Sequence, residues 1–454
     1  MENQILRIKD KLQQVKDIDV NLEVFGADAH GYTIGAPLTE EEVQAIEKTY
    51  CFTIPEAYRL FITSVGYANP CEEAYLHGAA GPYYGVLPVT EGLKELLTEN
   101  PQLYLNQSCL LSPAQSEDEW QQLTNYAYES EISDEEYDKR IGTLFAGLLP
   151  IGTQGCGITT LLITTGPHTG RIVYTNDDYQ PFFAFETHFL DWYERWLDEI
   201  ISGDLLSPNA GWFAYSKGGT SEQLWQETLD ANTDEEKLTC LKGLLGKNEN
   251  PQHILQEIKT AIPLQNTKVA LTLLRILTKY NYPAAKELLF EYAKIDLLEI
   301  LQNVYWYAKE DAISWIPTIE QYLPTVTDTE TFNFCTYLLT TAKIDYASIL
   351  IPRATDANPK IRSQVFYTLG QLDHKVNYIE VFKKGLQDTD TQVLLQVLQA
   401  INTLNDKSLL PYYQKIALAY PPSDENYIAT NLDYCLKNFN LTRKELLKDT
   451  FTYE

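Results

Sequence analysis

Several ingredients are scarce in this chain of 454 residues, and each shortage removes a class of function. No run approaches the ~18 to 20 uninterrupted apolar residues of a membrane-spanning helix, and the opening MENQILRIKDKLQQVKD is charged where a signal peptide needs an apolar core. A cytoplasmic protein is the expectation. Cys51, Cys71, Cys109, Cys156, Cys240, Cys335 and Cys435 are scattered, odd in number and never in a CxxC pair, so neither a disulfide framework nor a zinc knuckle is encoded. The six histidines are equally dispersed, with no HExxH, so no metal, no cofactor and no catalytic residue is expected. Basic residues are few: 35 Lys and Arg face 63 Asp and Glu, a net charge of -28. Phosphates demand basic surface, which argues against nucleic acid or an anionic membrane as direct partner and favours a basic protein.

What is present is ordinary globular material. With 44% hydrophobic and 22% charged residues the chain can bury real cores, and its length allows about three domains or one domain and a repeat array. The charge is uneven. Residues 1–206 hold 33 acids and 11 bases, net -22, whereas residues 207–454 hold 30 acids and 24 bases, net -6.

In the first half, Ile5, Ile8, Leu12 and Val15 recur at helical spacing, which predicts an opening helix docked on its own domain or, alternatively, in a coiled-coil contact. Thr39 and Glu42 form a capping-box pattern that starts a second helix, and Pro55 to Gly66 bound a third. GPYYGVLPV, residues 81–89, reads as a turn and the first strand of a sheet, which residues 148–176 continue through a glycine-rich turn and two strands. Phe189, Trp192, Tyr193, Trp196, Leu197 and Ile200 give a closing helix its apolar face.

LTEEEVQAIEKTYCFTIPEAYRLFITSVG (38–66), YYGVLPV (83–89), LLPIGTQGCG (148–157), GRIVYTNDD (170–178) and FLDWYERWLDEI (189–200) together resemble the SUKH superfamily, which includes bacterial toxin-immunity proteins and the yeast cell-wall-assembly regulator. The resemblance implies an α+β domain over residues 1–205 with a central sheet flanked by helices, no catalytic activity, and use as a protein-binding module. It departs in one place, an acidic insert at about 105–145. There Glu117, Asp118, Glu119, Glu129, Glu131, Asp134, Glu135, Glu136 and Asp138 meet no base before Lys139 and Arg140. Crowded like charges repel, an expense tolerated where an opposite charge docks, although a solvated face serving solubility reads the same way. Trp120, Tyr126, Tyr128 and Tyr137 interleave the acids as candidate anchors. The expected partner-binding set is these nine acids with Trp120, joined by Asp177 and Asp178 after a strand. Gly152 to Thr160 lacks the Lys-Ser/Thr pair of a phosphate loop and precedes a strand, and Cys156 within it has no histidine close in sequence.

Residues 206–221, rich in Gly, Ser and Pro, read as a linker whose Trp212, Phe213 and Tyr215 pack on a domain. Beyond it, over 222–454, helical patterns alternate with short turns. DANPKIRSQVFYTLGQL (356–372) aligns with DTDTQVLLQVLQAINTL (388–404) at an offset of 32, NTKVALTLLRIL (266–277) fits the same spacings, and a weaker copy lies near 328–342. This pattern resembles HEAT repeats and implies an all-α solenoid with a long concave face, either supporting the first domain or binding a partner itself. The combined expectation is a non-catalytic bacterial immunity protein that neutralises a basic, nuclease-type toxin domain by direct binding. The alternative is an intracellular adaptor or regulatory scaffold with a non-toxin partner, and gene neighbourhood separates the two.

Overall fold

A computed structural model describes residues 1–68, 78–95, 104–175, 180–208, 210–422 and 427–448. The chain divides into two compact units, Met1–Ile254 and Leu255–Glu454. The segment expected as a linker, 206–221, therefore falls within the first unit, where Phe213 and Ala214 are buried in the main core. Aromatic content decides its behaviour: Tyr215 stacks on Phe182 at 4.8 Å with the rings 1° from parallel.

The first unit is built on a four-stranded antiparallel meander, β1 (Leu148–Gly155), β2 (Ile158–Ile163), β3 (Ile172–Thr175) and β4 (Phe182–Phe183), in the order β1-β2-β3-β4. β1 and β2 are joined by a two-residue turn in which Cys156 and Gly157 both have positive φ, 50° and 78°. That is the twist a tight hairpin needs, so the glycine-rich segment is a hairpin turn. Both faces of the sheet are covered. Leu149, Leu162, Ile172 and Tyr174 enter the main core, while their strand neighbours Leu148, Leu161, Ile163 and Val173 enter a second, smaller core on the opposite face. Burial on two sides is why the strands read as continuous apolar runs and not as alternating ones.

The expected first strand at 83–89 is not one. Gly85 at φ 96° and Pro88 break it, leaving a single bridge between Ala79 and Val86 and a hydrogen bond of 2.8 Å from the Leu87 amide to the Ile151 carbonyl. Pro88 then opens a short helix, Val89–Gly92.

Helices close the main core. Glu40–Tyr50 begins with the expected capping box, in which the Thr39 hydroxyl accepts from the Glu42 amide and the Glu42 carboxylate from the Thr39 amide. Glu56–Ser64 buries Tyr58, Phe61 and Ile62. The Phe189–Ile201 helix buries its aromatic stripe, and the opening helix Glu2–Ile18 packs on it through Ile5, Ile8, Leu12 and Val15.

The second unit is all helical among its described residues. The helices Thr267–Tyr292, broken by a kink at Asn281 ahead of Pro283, Leu297–Tyr307, Thr329–Thr341, Pro359–Leu369, Thr391–Ala400 and Tyr427–Lys437 pack each against the next in this series. Further helices such as Ile379–Gly385 and Leu410–Ala419 lie between them in the chain. This order is consistent with helical repeats. The aspartates matched in the sequence have matching roles: Asp356 accepts from the Asn358 amide at 2.8 Å and Asp388 from the Asp390 amide at 2.9 Å, each just ahead of the residue that caps the next helix. Arg362 ties one repeat to the following one through a bidentate pair with Asp388, both bonds 2.7 Å.

Candidate partner-binding surfaces

The acidic insert forms two helices, Glu117–Ala127 and Asp134–Leu144, packed together. Ser116 and Ser133 cap them, and six of the nine acids, Glu117, Asp118, Glu119, Asp134, Glu135 and Glu136, occupy their first turns. A carboxylate there meets the positive end of the helix dipole, so local helix chemistry accounts for much of the acid run. Glu119 completes a capping box with Ser116, whose backbone amide and hydroxyl hold its carboxyl below the ordinary range.

The run is also less uncompensated than its sequence suggests. Arg140 folds back to pair with Glu129 at 2.7 Å and Glu136 at 2.8 Å, and its guanidinium lies 4.1 Å from the Tyr126 ring centre. Glu131 stands exposed between the helices and Asp138 is half-buried. Trp120 corrects the expected set: it is 3% exposed, in the second core with Leu111, Ile141 and Leu144, so its ring covers the sheet and is not offered to a partner. The exposed aromatics of this hairpin are Tyr126 and Tyr137. Asp177 and Asp178 lie outside the described residues.

A second acidic region, absent from the expected set, lies along the polar side of the Phe189–Ile201 helix. Arg195, 9% exposed at its side chain, pairs with Glu186 and Glu199, both at 2.7 Å, and donates to the Ser216 carbonyl. Burial pushes the Glu199 carboxyl up, an effect Arg195 offsets in part. Gly218 is required beside this cluster, because a Cβ there would stand 2.2 Å from the Arg195 Nε. The residue before Arg195, Glu194, accepts from Arg7 and Lys11 of the opening helix. Burial alone would raise the Glu194 carboxyl; the hydrogen bonds from Arg7 and Lys11 override it and hold the group at about 2. Glu186, Glu194, Arg195 and Glu199, with Asp204 and Lys247, are among the residues that line a cavity of about 720 Å³.

Beside it lies an apolar counterpart. Phe25, 51% exposed, and Trp212, 55% exposed, meet edge to face at 5.1 Å, with Tyr83 and Tyr84 against Phe25 at 6.2 and 5.6 Å. Phe25, Tyr83 and Trp212, with Trp196 and Leu205, line a cavity of about 290 Å³. The sequence held one signal for this site, the aromatic run Trp212, Phe213 and Tyr215 in a segment otherwise composed like a linker. Its juxtaposition with Phe25, far away in the chain, is tertiary.

Among the described residues, no group of three or more His, Cys, Asp and Glu is placed to hold a metal ion, and no helix is long and apolar enough to cross a membrane. A double-faced antiparallel sheet wrapped by helices and followed by an all-helical region places the chain in the class of α+β domains extended by an all-α region. More particularly, residues 37–195 match the SMI1 / KNR4 family (SUKH-1). The opening helix, the Trp212 segment and the whole second unit lie outside that match. No curated protein matches the chain.

Proposed function

We propose that this is a non-catalytic protein-binding protein of the immunity type, which neutralises a basic toxin domain by occluding it in the cytoplasm. The observation that carries the reading is the family match over 37–195, since that domain type suggests a protein-binding, immunity-like or regulatory role. The charge supports it. A chain of net -28 whose hairpin exposes Glu117, Asp118, Glu131 and Glu135 would steer toward a positively charged, phosphate-binding surface and cover it, without any bond being made or broken.

A second reading, an adaptor with a non-toxin partner, draws on the second unit. Tyr305, Trp306, Phe334 and Tyr337 form a cluster of rings 5.5 to 5.8 Å apart, with the Arg275 guanidinium 4.8 Å from the Trp306 ring centre and Trp306 45% exposed. Aromatic and arginine side chains of this kind dominate interface energetics. Co-expression of the chain with the product of the reading frame adjoining its gene tests the first reading. Growth is expected to be restored when both are made. Continued toxicity with both proteins present would remove the immunity role and leave the adaptor.

A further inference from the structure

The acidic and the apolar cavities of the first unit adjoin one another through shared lining residues. A narrow opening between them shares Glu199 and Asp204 with the acidic end and Leu205 and Trp212 with the apolar end. The acidic end is lined by seven carboxylates against two bases, Arg195 and Lys247. Counting also Arg7 and Lys11, which reach it through Glu194 and Asp198, three carboxylates remain in excess. Glu249 stands exposed on its rim. The apolar end exposes Phe25 and Trp212, aromatic surface that folding has left half in water.

We propose that this groove docks an extended segment of a partner protein in which a large apolar side chain is followed by lysine or arginine. The apolar residue would enter beside Phe25 and Trp212, which can close over it edge to face, and the cationic residue would lie over the carboxylates. Each half supplies what the other cannot. Burying the apolar anchor supplies affinity, and the excess negative charge sets direction and rejects acidic segments. A second copy of this chain is a poor occupant, since its first half carries net -22 over residues 1–206. Phe25, Trp212, Lys247 and Glu249 all lie outside residues 37–195, so residues beyond the matched domain complete a lining to which Tyr83, Glu186, Asp191, Glu194 and Arg195 also contribute.

The inference rests on the protein-binding reading above and names a partner chemistry for it. Three synthetic peptides in a Gly/Ser frame test it on the full chain, by fluorescence anisotropy at low salt. One carries Trp-Lys-Arg, the second Trp-Glu-Glu and the third Ser-Lys-Arg. The first should bind at least tenfold more tightly than either control, and both Trp212→Ser and Glu249→Lys, at exposed positions, should weaken it severalfold. A Glu41→Gln change, at an exposed position that lines neither end of the groove, should leave it unaltered. Equal binding of the three peptides, or unchanged binding by both groove variants, would overturn the groove. Because the readout needs no toxin, that failure is separable from failure of the immunity role.

Discussion

His30 shows how a single side chain is tuned by its setting. It is 3% exposed, packed between Tyr32 and Trp196, and its Nδ1 accepts from the Tyr32 amide at 3.0 Å. Burial lowers its pKa from 6.5 to about 4, more than the nearby Asp28 and Asp19 raise it. The unfolded chain therefore takes the proton first. Stability is full above about 6.5 and is lost as the pH falls toward 4, with about 1.5 kcal/mol gone between pH 6.5 and 5. In His30→Asn the side-chain oxygen can still accept from the Tyr32 amide but does not titrate. Urea unfolding followed by tryptophan fluorescence at the two pH values should show a smaller drop for the variant than for the parent; an equal drop would place the titrating group elsewhere.

At the level of elements, the hairpin of Glu117–Ala127 and Asp134–Leu144 has a structural duty that its acids concealed. Through Trp120, Ala127, Ile141 and Leu144 it covers the second face of the sheet. Trp120→Ala should thus cost about 3 to 5 kcal/mol of stability by opening a cavity, and differential scanning calorimetry should show it as a lowered Tm. A Tm like that of the parent would return Trp120 to the surface. Helices were the most legible part of the sequence: the stripe of the opening helix, the Thr39 capping box and the aromatic face of Phe189–Ile201 all report their own burial by periodicity. The strands were legible where both faces are buried. The 83–89 segment was not, because its β-favouring residues compete with Gly85 and Pro88, whose backbone demands won. The repeat helix Leu297–Tyr307 escaped the alignment, yet Asn266, Asp296, Asp328, Asn358 and Asp390 cap successive long helices at intervals of 30 to 32 residues. That capping period was readable where the apolar match was weak.

For the whole molecule, charge carries most of what sequence alone could say of function, and contact between distant segments carries the rest. The net charge of -28 and the acid run could be counted, but counting could not show that Arg140 neutralises two members of the run, or that helix first turns explain six of them. Nor could it bring Phe25 to Trp212. The remaining exposed charge is the basis of the proposed encounter with a basic toxin. Neutralising Glu117, Asp118, Glu131 and Glu135 to Gln or Asn preserves shape and spares both the Ser116–Glu119 capping box and the Arg140 pairs. The most direct measurement is stopped-flow association of the full chain with the product of the adjoining reading frame, parent against this fourfold variant, at low and at high salt. A 1:1 complex is expected, with an association rate that falls severalfold in the variant at low salt and a difference that closes at high salt, where exposed charges are screened over a Debye length of ~3 Å at 1 M. No complex at all, or equal rates for both proteins at low salt, would contradict it.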